Sequence, residues 1–457
     1  MPRRPIPGGP VPGRLVSRRG TLRRDTFGRT LLRRSLALLA LPLAGLLAVL
    51  ALPPSAHGAG GGWTGSWAAA PTGVPGTDTT TFEDVTLRQI VHLSVAGRAV
   101  RVRLTNEFGS TPLTIGAAHV ARRADGGPGT AVDPATDRTL RFGGRTTTTL
   151  AAGAQVWSDP VALATEAGGD LVVSLYLPQR TPGSTIHSSA FQHGYVAAGN
   201  VAGKPDITPT QTITNRRFLS GVSVDRQRSR AASALVTFGD SITDGSNTRI
   251  DANHRWPDLL AERLRGDREL AATGVLNAGI GGNRLLRDPN PPQGSPAESY
   301  AAYFGESGLK RFDRDVLRQP GARAVVVLLG VNDLGHPGTT APADEEVTAA
   351  ELIAGHRQLI RRAHDHGLQA LGATILPFEG DSLGFYTPER EAARQALNRW
   401  IRTSGAYDGV VDFDAAVRDP QHPGRLLAAY DSGDGLHPND AGMAAMAQAF
   451  PLKLLRR

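Results

Sequence analysis

The chain has 457 residues, 40% apolar and 20% charged, with no cysteine. That length exceeds one ordinary core and predicts two domains plus appendages, while the lack of thiols excludes disulfides, cysteine nucleophiles and Cys-ligated zinc or iron–sulfur centres. The net charge of +8 would suit a nucleic-acid binder, but residues 1–34 carry ten arginines against one acid, Asp25, so the remainder sums to −1 and nucleic acid is excluded as a partner.

Those first residues are Arg-, Pro- and Gly-rich and read as a disordered leader. Residues 35–52 follow as an uncharged apolar run interrupted by Pro42 and Gly45; Pro53-Pro54 break it and the small residues of 55–59 suit cleavage. A basic stretch, an apolar stretch and a cleavage zone predict an export signal over 1–58, and Arg33-Arg34 before the apolar run suggests the twin-arginine route. The expected location is extracellular, with no stable membrane partner once the leader is cleaved. The alternative is an anchor retained through 35–52, which is just long enough to span a bilayer.

Residues 62–225 are dense in Thr, Val, Gly and Pro and poor in helical periodicity. The strict alternation of Val100-Arg101-Val102-Arg103-Leu104-Thr105 predicts a half-buried strand, Ala96-Gly97 is placed to close a hairpin with the 87–95 run, and 171–177 reads as a further strand. Short strands between Gly, Pro and Asp turns predict a β-sandwich or jelly-roll-like domain. Trp63, Trp67 and Trp157 could stack on sugars, but packing is the commoner role for such residues. His92, His119, His187 and His193 are scattered without ligand spacing, and no metal site is expected there. A charged connector, 224–230, marks the domain boundary.

From 231 to 457 the pattern alternates. Strand-like runs at 234–238, 274–277, 323–329, 369–376 and 409–413 are separated by helical stretches at 254–265, 298–318, 344–366 and 387–403, with a last helix at 438–455. Repeated strand–helix units predict an α/β fold with a parallel sheet whose carboxyl ends share one rim. Polar loops follow those ends: Gly239-Asp240-Ser241 after the first strand, Asn277 to Asn283 after the second, and Gly330-Val331-Asn332-Asp333 after the third. Asp431 to Asp440 precedes the last helix.

Ester cleavage needs these parts. Ser241 supplies a hydroxyl, His437 an imidazole to take its proton, and Asp434, three residues earlier, a carboxylate to orient the ring. A tetrahedral oxyanion needs donors already aimed at it, and the N–H groups of Ser241 and Gly282 with the Asn332 amide are the candidates. Gly239-Asp240-Ser241-Ile242, Asn277 through Gly282, Gly330-Val331-Asn332-Asp333 and Asp434-Gly-Leu-His437, in this order across nearly all of 231–457, resemble the SGNH (GDSL) hydrolase superfamily of esterases and lipases. The resemblance implies a three-layer α/β/α sandwich around a five-stranded parallel sheet, with Ser241, Gly282, Asn332 and His437 as signature residues and Asp434 completing the triad. The resemblance implies no metal or organic cofactor, and Ile242 stands where many members have leucine.

Several rivals remain open at this point. Gly380-Asp381-Ser382-Leu383-Gly384 fits G-x-S-x-G, but no helix follows at once, as that elbow requires. Asp431 competes with Asp434, and Asn332-Asp333 could merely cap a helix. The expected activity is hydrolysis of carboxylic esters through an acyl-enzyme, on acetylated carbohydrate or short-chain acyl esters. The alternatives are a lipase, lysophospholipase or acyltransferase using the same residues, or a carbohydrate-binding protein with incidental turnover. The partner is a small-molecule, polysaccharide or lipid ester; oligomeric state is not legible.

Overall fold

The computed structural model describes residues 62–124, 129–226 and 233–456. The leader expected over 1–58 and most of the connector lie outside these residues. Among the described residues no helix is long and apolar enough to cross a membrane.

The amino-terminal part is strand-rich. One antiparallel sheet joins Trp63–Ala68, Leu219–Asp225, Ala99–Thr105 and Val161–Ala162, with Gln155–Trp157 also on Ala99–Thr105. A second places Val85–His92 between Gly194–Ala198 and Asp170–Leu177, and continues through Ala117–Arg122. Alternate residues of both sheets, Leu87, Val91, Val173 and Leu175 from one and Val100, Val102, Val222 and Val224 from the other, meet in one apolar core, as the period of two demands.

The hairpin expected around Ala96-Gly97 does not form: the strand at Val85–His92 and the strand at Ala99–Thr105 belong to different sheets. The chain between them is drawn away by distant partners, Leu93 N–H donating to Gly169 O (2.9 Å), Ser94 N–H to Ser66 O (2.9 Å) and Gly97 N–H to Thr165 Oγ1 (3.0 Å).

The carboxyl-terminal part holds a five-stranded parallel sheet. Its spatial order is Thr273–Gly279, Ser233–Gly239, Ala322–Leu328, Gln369–Ala373 and Gly409–Val411. The order reverses beside Ser233–Gly239, and open α/β sheets bind ligands at such a switch point. The apolar runs Leu235-Val236 and Val325-Val326-Val327 are fully buried, as strands covered on both faces must be.

Several boundaries depart from expectation; the last helix, expected over 438–455, runs from Asp440 to Ala449 and stops before Pro451. The fourth strand stops at Ala373 because Ile375 N–H is taken by Asn398 Oδ1 (2.8 Å) and Ile375 O by Arg394 and Asn398. The helix expected over 298–318 is broken into 3₁₀ turns at Pro296–Ser299 and Ala301–Phe304, then a short helix at Gly308–Phe312 running into a π turn. Gly305, at φ +68°, ends the first half.

Candidate active site

The strand Ser233–Gly239 delivers the chain to a tight bend. A Cβ on Gly239 would meet Thr243 Oγ1 at 2.2 Å and Leu328 O at 2.9 Å, so only glycine fits. Asp240 caps the following turn of helix, Ser241–Asp244, its Oδ1 accepting from Ile242 N–H at 3.1 Å. Complete burial pushes the Asp240 carboxyl up to about 7. The turn closes at Gly245, at φ +103°.

Ser241 thus starts a helix, its Oγ 2.8 Å from His437 Nε2. On the other side of the ring, His437 Nδ1 stands 2.6 Å from Asp434 Oδ2. A carboxylate only accepts, so Nδ1 carries the hydrogen and Nε2 presents a lone pair to the serine hydroxyl. Asp434 Oδ1 accepts from the N–H groups of Leu436 (3.0 Å) and His437 (2.8 Å). Burial would raise this carboxyl, but the hydrogen bonds from His437 outweigh it and hold the group well below the usual carboxylate range. Asn247 Nδ2 donates to the same Oδ2 at 3.0 Å and to Ser432 Oγ at 2.9 Å.

Gly282 lies in the loop after the second strand at φ +74°, and a Cβ there would meet the Phe304 ring at 2.1 Å. Among the described residues the N–H groups of Ser241 and Gly282 form no hydrogen bond within the protein. Asn332 is buried in the short helix Val331–Gly335, and its Nδ2 donates to Asn283 O (3.1 Å), which joins the amide to the Gly282 loop. Asp333 accepts from Leu285 N–H (2.6 Å) and Leu286 N–H (2.9 Å), so it shapes the same loop.

The rivals are placed elsewhere. Ser382 is exposed on an irregular loop, and its N–H donates to Asp434 O at 2.8 Å. Asp431 builds the turn, accepting from Gly433 N–H (2.9 Å) and Gly435 N–H (3.0 Å). A further histidine near the site, His336 in the loop after the third strand, is buried between the rings of Phe304 (5.0 Å) and Phe385 (5.6 Å); burial pushes it down to about 3, so it stays neutral. The three amino-terminal tryptophans are half-buried against guanidinium groups, Arg101 over Trp63 (4.8 Å) and Trp157 (4.6 Å), and Arg216 over Trp67 (5.7 Å).

A cavity of about 430 Å³ opens beside Gly281, walled by Ser188, Ser189 and Asn215 from the strand-rich part and by Tyr300, Tyr303 and Phe304 from the other. A Cβ on Gly281 would stand 4.0 Å from Ser241 Cβ, which puts this cavity next to the serine. The guanidinium of Arg217, also in its wall, is already matched by Asp78 at 3.4 Å.

Sequence reasoning missed Asn247, Asp244, whose Oδ2 accepts from Gly281 N–H (3.2 Å), His187, whose Nε2 stands 3.0 Å from Asp244 Oδ1, and Arg311, which donates to Gly239 O and Ala278 O. Asp244 was visible in the motif, three residues after Ser241 and hence one helical turn away. A lone histidine, a lone asparagine and an arginine inside an apparent amphipathic helix carry no local mark.

Residues 235–450 match the family model described as GDSL-like Lipase/Acylhydrolase. Among solved structures, the chain is similar to a catalytic mutant of an acetylxylan esterase from Geobacillus stearothermophilus, at 21% identity, covering 49% of this chain and 95% of that one with a TM-score of 0.36. It is similar to the M. smegmatis aryl esterase at 17% identity, 48% and 96% coverage and a TM-score of 0.36. A GDSL-like lipase from Bacteroides thetaiotaomicron matches at 17% identity, 49% and 87% coverage and a TM-score of 0.34. Comparison with curated proteins found no match.

Proposed function

We propose that this chain, which belongs to the SGNH/GDSL hydrolase superfamily through residues 235–450, is an exported serine esterase in which Ser241, His437 and Asp434 carry the chemistry. The observation that carries the reading is the continuous relay from Ser241 Oγ to His437 Nε2 at 2.8 Å and from His437 Nδ1 to Asp434 Oδ2 at 2.6 Å. Ser241 Oγ attacks the ester carbonyl carbon as His437 Nε2 takes its proton, and Asp434 stabilises the resulting imidazolium. The negative charge on the former carbonyl oxygen is met by the N–H groups of Ser241 and Gly282 and the Asn332 amide. As the tetrahedral species collapses, the alkoxide leaves with the proton held on His437. Water then repeats the sequence on the acyl-enzyme, with His437 as base and then acid.

The alcohol half of the ester fits the cavity beside Gly281. Hydroxyls and an amide from Ser188, Ser189 and Asn215 suit hydrogen-bonding groups, and the aromatic wall suits an apolar ring face. With Arg217 already matched by Asp78, the wall favours a neutral, hydroxyl-bearing alcohol over a phosphate-bearing one. The proposed substrate is therefore an acetylated carbohydrate or a comparable short-chain ester. The accessory region reads as a β-sandwich of the jelly-roll kind, the catalytic region as three α/β/α layers, and residues 1–58 as the export signal.

The test is hydrolysis of p-nitrophenyl acetate and of acetylated xylo-oligosaccharides. Ser241→Ala should lower kcat on both by about four orders of magnitude or more, and Ser382→Ala should leave both near wild type. Activity surviving in Ser241→Ala would move the nucleophile elsewhere.

A further inference from the structure

We propose that His187, contributed by the strand-rich region, is a positioning residue for ester hydrolysis: through Asp244 it fixes the loop from which the Gly282 N–H projects. This rests on the Ser241 reading above.

His187 is buried, and its two nitrogens have different partners. Nδ1 lies 3.0 Å from Ala70 O, a group that only accepts, so Nδ1 carries a hydrogen. Nε2 lies 3.0 Å from Asp244 Oδ1. A neutral ring with its hydrogen on Nδ1 would turn a lone pair toward that carboxylate, so the geometry calls for an imidazolium donating from both nitrogens. Burial disfavours the charge, but the Asp244 carboxylate, its hydrogen bond and the Ala70 carbonyl outweigh burial and raise the group above the ordinary histidine value.

The other oxygen of the same carboxylate, Asp244 Oδ2, accepts from Gly281 N–H at 3.2 Å. Asp244 also ends the helical turn that begins with Ser241. One carboxylate therefore joins the nucleophile turn, the oxyanion loop and a residue 57 positions upstream. Holding the Gly281 N–H sets the preceding peptide plane and limits where the next one, carrying the Gly282 N–H, can point. His187 is itself anchored: Ile186–His187 pairs with Arg216–Arg217, and Ile186 exchanges two backbone bonds with Thr72.

The other charged groups around this contact are Arg216 and Arg255, which line the same gap with Trp67 and Asn277. Arg255 Nη2 is committed to Ala190 O (2.8 Å) and its Nε faces Asp258 (3.4 Å). Arg216 lies over Trp67, and burial lowers it to about 9. Of the three cations, His187 is the one hydrogen-bonded to Asp244. When it loses its proton, the Nε2 lone pair faces the carboxylate and the hold on Gly281 weakens.

The experiment compares wild type, His187→Gln, Asp244→Asn and Ser241→Ala as full chains on p-nitrophenyl acetate. Folding is checked by circular dichroism, and the affinity of an alkyl boronic acid, whose tetrahedral adduct on Ser241 occupies the oxyanion site, is measured alongside. His187→Gln should lower kcat about ten- to a hundredfold while KM stays within about threefold. Boronate affinity should fall in parallel, and kcat should decline at alkaline pH in wild type but not in His187→Gln. Asp244→Asn, which keeps the volume but presents an amide, should give the same pattern and serves if His187→Gln does not fold. A kcat within about twofold of wild type in the folded variant, or a loss that tracks only the unfolded fraction with boronate affinity unchanged, overturns the proposal. Hydrolysis surviving in Ser241→Ala would instead overturn the esterase reading, so the two failures are distinguishable.

Discussion

At position 282 two constraints coincide on one residue. The backbone sits at φ +74°, where a side chain is strained, and the space a Cβ would take is filled by the Phe304 ring, 2.1 Å away. Alanine here must push back the ring, the loop or both, and the loop carries the N–H proposed as an oxyanion donor. Gly282→Ala should therefore lower kcat about 10²- to 10³-fold, the effect of removing one oxyanion donor. Adding Phe304→Ala should restore only part of it, because the clash is relieved while the positive φ is not. Steady-state kinetics on p-nitrophenyl acetate checks both; full recovery in the double variant would show that backbone strain has no part. Asn247 illustrates a different residue-scale role. At φ +65° it occupies a conformation that asparagine tolerates better than most side chains, and from there it donates to Asp434.

Among the elements, the carboxyl ends of the neighbouring strands Ser233–Gly239 and Thr273–Gly279 are tied by one buried side chain. Arg311 donates to Gly239 O (2.8 Å), Ala278 O (2.8 Å) and Asn283 Oδ1 (3.0 Å), pairs with Asp315 (3.2 Å) and lies 4.1 Å over the Phe238 ring. Burial lowers its pKa to about 10, so it remains charged. Arg311→Met should destabilise the fold by about 3–5 kcal/mol, because it removes a buried cation together with its hydrogen bonds to Gly239 O, Ala278 O and Asn283 Oδ1 and leaves Asp315 to Arg314 alone. Chemical denaturation measures this, and a loss under about 1 kcal/mol would mean that water replaces the guanidinium. The sequence displayed the outcome of such ties but not the ties themselves. The placement of Ser241, Gly282, Asn332 and His437 on one rim was legible because each follows an apolar strand or precedes a helix, and parallel strands must open their loops to one side. The break in 298–318 was hidden, since Gly305 and Gly308 read as tolerable interruptions of a helical period. The Ala96-Gly97 hairpin misled because turn residues report a bend and say nothing of which sheet receives the next strand. That choice is made by Gly169, Ser66 and Thr165, far away in the chain.

Considered as one molecule, the strand-rich part and the parallel sheet are joined by direct backbone contacts beside the cavity they share. Gly65 N–H donates to Pro320 O (2.8 Å) and Val275 N–H to Ser94 Oγ (2.9 Å), and a Cβ on Gly274 would stand 2.1 Å from Gly65 O. Backbone approaches backbone there, so neither part can lift away without exposing strand Thr273–Gly279 and breaking the His187–Asp244 pair. The wild-type chain should accordingly unfold in one calorimetric transition, with esterase activity lost over the same temperatures. His187 and Asp434 move that transition with pH in opposite senses, while the raised Asp240 and the lowered His336 oppose each other between about pH 4 and 6.5. The pKa of His187 is raised in the folded state, so its contribution is complete below the ordinary histidine value of about 6.5 and is lost as pH climbs through the folded value. Asp434 has the opposite sign: its lowered pKa contributes above about 3.8, and that contribution is lost as pH falls through the folded value. Tm should therefore hold level through mildly acidic pH and decline on the alkaline side, and His187→Gln should flatten that decline while leaving the acid side unchanged. A low-temperature transition of the strand-rich part, with activity surviving it, would mean that the two parts are mechanically independent and that His187 does not support the oxyanion loop.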